Sequence, residues 1–145
     1  PMVYKEDYNF EIGKAITITD EGDITIFATG TMVYNSLEAS KILVTKGINA
    51  RVVNIHTIKP LDINCIEYAN ERSKLLVSVE EHSIIGGLGG AIAEHLCSKK
   101  RHAQLLRLGL ADQFRHAGDY NYLLGQNRLL PDQIAHDIEQ KYSSL

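Results

Sequence analysis

The segment that most constrains the fold runs from Leu75 through the glycine-rich stretch to Leu96. It begins with the apolar run Leu75–Val79, which is typical of a central parallel strand covered on both faces. Two carboxylates and a histidine follow, then four glycines within five positions, then apolar residues at helical spacing. Proteins of the α/β class use this order to build ligand sites at the carboxyl ends of strands. They also use it to pack a helix closely on a sheet.

Strand and helix patterns alternate along the rest of the chain. β-Branched residues in alternation predict strands at 15–19 and 24–28, and the short turn 20–23 between them predicts an antiparallel pair. The remaining predicted elements are a helix to Lys46-Gly47, a strand at 50–54, a helix capped by Asp62, the strand 74–79, the glycine-rich helix to about Ser98, a strand at 104–108, a long connection 109–130 and a helix opening at Pro131. This order predicts a parallel sheet covered by helices on both faces, with the first strand as an antiparallel exception at one edge.

Length, composition and charge favour one soluble domain and argue against several classes of protein. The chain has 145 residues, of which 44% are hydrophobic and 23% charged. It carries 15 basic and 18 acidic residues, and no basic cluster exceeds Lys99–Arg101, so neither a nucleic-acid partner nor a membrane partner is expected. No apolar run reaches the length of a membrane span, and no signal peptide is visible.

The two cysteines and the amino terminus each support one further expectation. Cys65 and Cys97 lie in apolar helical patterns, which predicts buried thiols in a reducing, cytoplasmic compartment. Pro1 is not an initiator methionine, and the polar residues 1–8 resemble a linker. We therefore expect residues 1–14 to be a linker cut from a longer protein and residues 15–145 to form the domain.

The glycine cluster does not match a dinucleotide-binding fingerprint. That fingerprint requires three glycines directly after the strand. Here seven residues follow Val79 before the Gly87-Leu88-Gly89 element, and Ile92 stands where the third glycine is needed. The glycines more simply allow a helix to lie close against a neighbouring backbone. An anion at the start of that helix stays open as an alternative.

Glu80, Glu81 and His82 form the polar corner between strand and glycines. They could serve as an acid–base group or an anchor, but a polar strand end that faces solvent or a partner chain is favoured. Neighbouring strand residues point to opposite sides, so the two carboxylates are not expected to act as a pair. We call the loop the glycine corner and regard it as a candidate anion or interface site; its residues are Glu81, His82, Gly86, Gly87, Gly89 and Gly90.

No complete catalytic constellation is present in the sequence. The other histidines are scattered without metal-ligand spacing, and no serine has the Gly-x-Ser-x-Gly context of a nucleophile elbow. Thr29-Gly30-Thr31 could seat an anion after a strand, although Thr31 is more simply a helix N-cap. We therefore assign no catalytic residue and no metal ligand.

Four motifs, read together, resemble the C-terminal domain of transketolase. They occur in order at 10–14 (Phe-Glu-Ile-Gly-Lys), 28–31 (Ala-Thr-Gly-Thr), 54–62 (ending Lys-Pro-Leu-Asp) and 79–90 (Glu-Glu-His followed by the glycines). The similarity extends from about residue 1 to 142 and is greatest to the C-terminal subunit of two-subunit bacterial transketolases. Weaker versions of the motifs occur in deoxyxylulose-phosphate synthase and in β subunits of 2-oxo-acid dehydrogenases. The chain departs from the pattern at Gly90, where many relatives have serine, and matches only loosely at 112–118.

The resemblance implies a fold, an activity and a set of partners. The fold is a three-layer α/β/α domain with a five-stranded mixed sheet and one antiparallel edge strand. The activity is transfer of a two-carbon ketol unit between sugar phosphates, with thiamine diphosphate and Mg²⁺ as cofactors of the full enzyme. The cofactor machinery of the family belongs to upstream pyrimidine-binding and diphosphate-binding domains or subunits, so no cofactor-binding residue is carried over to this chain. A homodimeric or two-subunit assembly is implied, in which the isolated fragment is inactive.

Three functional hypotheses follow. The first is a non-catalytic assembly and stability domain of a transketolase. The second is the same domain in deoxyxylulose-phosphate synthase or a 2-oxo-acid dehydrogenase β subunit. The third is a regulatory module that binds an anion or nucleotide at the glycine corner. Under the first two we expect an exposed apolar surface near residues 1–14 and the edge strand, left where other domains would pack.

Overall fold

The computed structural model describes residues 1–4, 6–20 and 22–145, so the expected turn at 20–23 lies partly outside the described residues, at Glu21. The elements follow the predicted alternation: β1 (Ile16–Thr19), β2 (Ile24–Ala28), α1 (Met32–Thr45), β3 (Ala50–Asn54), α2 (Ile63–Arg72), β4 (Leu75–Ser83), α3 (Leu88–Leu96), β5 (Gln104–Leu110), α4 (Tyr120–Gln126) and α5 (Pro131–Ser143). Within the described ranges, every helix is too short or too polar to cross a membrane.

The sheet has five strands in the order β1-β3-β2-β4-β5. β1 is antiparallel to β3, and the other neighbours are parallel. The prediction of an antiparallel first strand at one edge is confirmed, but the prediction that it pairs with the second strand is wrong. β2 is buried at all five positions, whereas β1 alternates between half-buried and exposed. Because β2 needs a neighbour on each side, it lies between β3 and β4 and leaves the edge to β1.

Two apolar cores lie on opposite faces of the sheet, which gives the three layers. On one face Ile24 and Ile26 of β2 pack with α1 and α5. On the other face Phe27 of the same strand packs with α2 and α3. The strict alternation along β2 therefore supplies both cores from one strand.

The first helix is rotated slightly from its predicted orientation. Val44 was expected on the buried stripe but is exposed, while Met32 at the start of the helix is buried. The buried positions lie one turn apart at Met32, Ser36, Ala39 and Leu43, and this stripe faces the first core. The helix ends as predicted, with Gly47 in the left-handed conformation at φ 73°.

Asp62 is the N-cap of α2, as predicted. One carboxylate oxygen accepts a hydrogen bond from the Cys65 backbone N–H at 3.1 Å. The other accepts from the Ala15 backbone N–H at 2.8 Å, just before β1. Asp62 therefore connects the start of α2 to the edge of the sheet as well as capping the helix.

The two cysteines differ in their environments, and this difference predicts their reactivity. Burial raises the pKa of the Cys65 thiol to about 11, so almost none of it is thiolate at pH 8. Cys97, expected to be buried, is exposed at the end of α3, where the chain turns away from the core. We expect one thiol per chain to react quickly with Ellman's reagent at pH 8, and mapping of the alkylated peptide to identify Cys97. Rapid modification of Cys65 in the folded protein would contradict the structure.

The amino-terminal residues lie along the carboxyl edge of the sheet. Asn54 Nδ2, at the end of β3, donates to Tyr4 Oη at 2.6 Å. The rings of Phe10 and His56 stack with centroids 4.5 Å apart. Four large apolar side chains of this segment are exposed, Met2, Tyr8, Phe10 and Ile12, in agreement with the expected apolar surface.

Candidate functional site at the carboxyl edge of the sheet

The strand order creates one crevice of the kind in which α/β proteins bind ligands. β2 leads into α1 on one face, whereas its neighbour β4 leads into α3 on the other. The loops that follow β2 and β4 therefore diverge at the carboxyl edge, which is the usual ligand position in open α/β sheets. Thr29–Thr31 and the glycine corner form the two walls of this crevice.

Glu80 fills the crevice from within. Its side chain is completely buried, and its two oxygens accept hydrogen bonds from the backbone N–H groups of Leu88, at 2.7 Å, and Gly89, at 2.8 Å. These are free N–H groups of the first turn of α3, where a bound phosphate would otherwise lie. The helix N-terminus is thus neutralised by a carboxylate of the same chain. The expectation of a strand end that faces solvent is wrong for Glu80, because the helix start folds back over it.

The glycines of the corner are required by the space around Glu80. A Cβ on Gly87 would overlap Glu80 Oε2 and lie 2.8 Å from the Ser83 carbonyl oxygen. A Cβ on Gly89 would overlap Ser78 Oγ, and it would lie 2.9 Å from Arg107 Cγ. These two glycines provide the close approach predicted from the sequence, although side chains are approached as well as backbone.

Gly90 lies in the same turn but has no such constraint. A Cβ at this position would meet only the Ile84 carbonyl oxygen, 4.0 Å away. This explains how a serine could be accommodated there.

Glu81 has the opposite environment from its neighbour, as the strand alternation predicted. Its carboxylate is exposed, and Oε2 accepts hydrogen bonds from Thr31 Oγ1 at 2.5 Å and from Tyr120 Oη at 2.7 Å. Thr31 occupies the N-cap position of α1 but makes no side-chain cap, so the predicted capping role is wrong. The hydrogen bond to Glu81 raises the pKa of Tyr120 above its ordinary value. Glu81 therefore joins the starts of α1 and α4 to the end of β4.

Sequence reasoning did not find Tyr120. It lies 39 residues from Glu81, in a segment without clear periodicity. The only signal was the cluster of aromatic residues in that segment.

His82 borders a cleft on the other side of the crevice. The cleft has a volume of about 500 Å³, and Thr29, Lys59 and Gly86 also contribute to its lining. His82 Nδ1 lies 3.0 Å from the Ser83 carbonyl oxygen, and the ring is exposed. Of the remaining histidines, His95 contacts Glu67 at 3.1 Å on the far side of the domain. Within residues 1–4, 6–20 and 22–145, no three His, Cys, Asp or Glu side chains form a group that could hold a metal ion.

The fold and the filled crevice define a class of three-layer α/β domain with no free phosphate seat at the start of α3. Comparison with known proteins identifies the family. The model of the transketolase C-terminal domain family matches residues 13–128. The chain belongs to this family.

The most informative relatives are parts of larger enzymes. A putative transketolase C-terminal section from Methanocaldococcus jannaschii is 42% identical over 137 residues, which cover 94% of this chain and 42% of the relative. A 1-deoxy-D-xylulose-5-phosphate synthase from Caldanaerobacter subterraneus subsp. tengcongensis is 39% identical over 94% of this chain and 22% of its own length. The chain therefore spans less than half the length of either relative.

A solved structure confirms the fold at the level of topology. The structure described as a split gene transketolase, inactive beta4 tetramer, superimposes with a TM-score of 0.89 at 33% identity. The match covers 97% of this chain and 46% of that one. The sheet order and the antiparallel edge strand predicted through the family resemblance are thus confirmed.

Proposed function

We propose that this chain is the non-catalytic assembly and stability domain of a transketolase, an enzyme that transfers a two-carbon ketol unit between sugar phosphates. In this proposal residues 1–14 link the domain, residues 15–145, to an upstream pyrimidine-binding domain. A diphosphate-binding domain or subunit completes a homodimeric or two-subunit enzyme in the cytoplasm. The pattern of relatives supports this arrangement, since two of them are named as single subunits of transketolases.

The observation that carries the non-catalytic role is the buried carboxylate of Glu80. Thiamine diphosphate supplies the carbanion chemistry of the family when it is bound. It would bring an anionic diphosphate and a divalent cation, and the residues of this domain do not fit them. Glu80 already uses the N–H groups at the start of α3, and its negative charge would repel a second anion there. We therefore assign thiamine diphosphate and Mg²⁺ to the upstream domains.

The glycine corner then serves packing and assembly. Its buried side holds α3 against the sheet through Glu80, while Glu81, His82 and Ile85 are exposed. We propose that this exposed side contacts the other domains of the enzyme. A regulatory anion or nucleotide site is the weaker alternative, because such a ligand would have to use the cleft beside His82 and Lys59 without the helix N-terminus.

The substrate of the whole enzyme has one specific competitor. The deoxyxylulose-phosphate synthase from Caldanaerobacter is nearly as similar to this chain as the transketolase section, at 39% against 42% identity. The C-terminal domain of a 2-oxo-acid dehydrogenase β subunit is a further alternative with the same fold.

Enzyme assays with thiamine diphosphate and Mg²⁺ test the proposal. The isolated chain should not turn over xylulose 5-phosphate with an aldose phosphate acceptor. The longer gene product, supplied with its diphosphate-binding subunit where this is separate, should transfer the ketol unit. Turnover by the isolated chain would overturn the non-catalytic role. Formation of 1-deoxyxylulose 5-phosphate by the assembled enzyme, without ketol transfer, would replace transketolase by the synthase.

A further inference from the structure

A second pocket lies at the carboxyl edge, between the β5–α4 connection and α4. We call it the α4 pocket; its volume is about 380 Å³. Its floor is apolar and includes Leu110, Leu123 and Leu124. Glu81 and Tyr120 form one wall, and neither the crevice of Glu80 nor the cleft of His82 includes this space.

An aromatic side chain projects from the rim of this pocket. Phe114 lines the pocket edge but its side chain is fully exposed, more than that of any other large apolar residue described. A phenylalanine that is exposed to this degree is unfavourable in water, because an aromatic side chain gains most when roughly 150–250 Å² of it is buried. The α4 pocket and the projecting Phe114 thus form a hole and a knob side by side on one surface.

The charges of the two features are complementary. Arg115, next to the knob, is exposed and makes no ion pair with any residue that the structure describes. In the wall of the hole, Glu81 uses Oε2 for both of its hydrogen bonds. Its Oε1 accepts no hydrogen bond from the described residues, so this oxygen is available to a cation that approaches the pocket.

We propose that this surface binds the same surface of a second copy of the chain in a two-fold dimer. Phe114 of each copy enters the α4 pocket of the other, and Arg115 faces the partner's Glu81. A surface that carries a knob and a matching hole side by side is self-complementary, and two-fold symmetry satisfies both contacts at once. The basic residue beside the knob and the acidic residue inside the hole favour a second copy over an apolar small molecule. The inference stands on this chain alone and does not depend on the transketolase assignment.

Sedimentation equilibrium of the 145-residue chain over a range of concentrations tests the proposal. The wild-type chain should dimerise, and Phe114→Ser should weaken dimerisation at least tenfold without a change in melting temperature, because the side chain is exposed in the monomer. The matched control is Phe10→Ser, which removes another exposed phenylalanine, in the amino-terminal segment, and should leave the dimer unchanged.

A charge exchange provides the second arm. Arg115→Glu and Glu81→Arg should each weaken the dimer, and the double variant should recover most of the loss, which a purely structural role of either residue would not produce. A chain that stays monomeric at every concentration would overturn the proposal and leave this surface to a partner of different sequence. So would a dimer that is lost with Phe10→Ser but kept with Phe114→Ser, since the amino-terminal segment would then be the interface.

Discussion

Replacement of Glu80 by glutamine is expected to lower the free energy of unfolding by about 3 kcal/mol, because it breaks a buried, charge-assisted pair of hydrogen bonds. The carboxylate accepts from both Leu88 and Gly89, whereas an amide has only one acceptor oxygen. The amide NH₂ would face a backbone N–H inside the protein, and the helix would lose the negative charge at its N-terminus. At roughly 3 °C per kcal/mol for a domain of this size, the melting temperature should fall by about 9 °C.

Glu81→Gln is the matched control for this prediction. It makes the same chemical change at the neighbouring position, but the side chain is exposed and one oxygen can keep both of its hydrogen bonds. We expect a loss of less than about 1 kcal/mol. Urea unfolding followed by circular dichroism measures both variants. Equal losses for the two would show that Glu80 does not hold α3 in the way described.

Gly87→Ala is expected to destabilise the domain by a similar amount, about 3 kcal/mol, through overpacking against the same carboxylate. The added methyl group would overlap Glu80 Oε2 and press on the Ser83 carbonyl oxygen, which is backbone and cannot move aside. Relief of the overlap requires either loss of the Glu80 hydrogen bonds or displacement of the start of α3. We therefore expect the Gly87→Ala and Glu80→Gln losses to be less than additive in the double variant.

Gly90→Ala is the control, since it adds the same methyl group three positions further along. The space there is open, and the residue lies inside α3, where alanine is preferred to glycine by roughly 0.5–1 kcal/mol. This variant should be neutral or more stable than the wild type in urea unfolding. The account of the glycine corner would fail if Gly90→Ala were the more damaging of the two substitutions.

Much of the fold follows from local patterns that the chain states clearly. The apolar run Leu75–Val79 indicated a central parallel strand, and β4 has that position. Asp62 stood directly before a helical pattern, and it caps α2. The partner of β1 could not be predicted in this way, because a short turn suggests a hairpin. The burial of β2 on both faces, which excludes the hairpin, is a property of the assembled sheet.

The candidate site was located from sequence, but its contacts were not. Alternation correctly separated Glu80 from Glu81, yet it could not show which one points inward. That depends on α3 folding back so that two backbone N–H groups meet Glu80. The contact between Glu81 and Tyr120 joins parts of the chain that no local pattern relates. Cys97 was expected in the core because its pattern is apolar, but the last turn of α3 extends past the sheet.

The glycine corner shows how one local design can serve two purposes. A strand, a glycine loop and a helix start commonly bring backbone N–H groups to a phosphate. In this chain the same arrangement brings them to Glu80, so the anion at the helix start belongs to the protein. The domain keeps the packing benefit of the motif while losing its vacant seat.

Isothermal titration calorimetry of thiamine diphosphate and Mg²⁺ with the 145-residue chain tests this central claim most directly. Because Glu80 occupies the N-terminus of α3, we predict no saturable heat, which corresponds to a dissociation constant weaker than about 1 mM. Saturable binding of one cofactor per chain in the micromolar range would contradict the account, since it would show that the domain has a diphosphate site of its own.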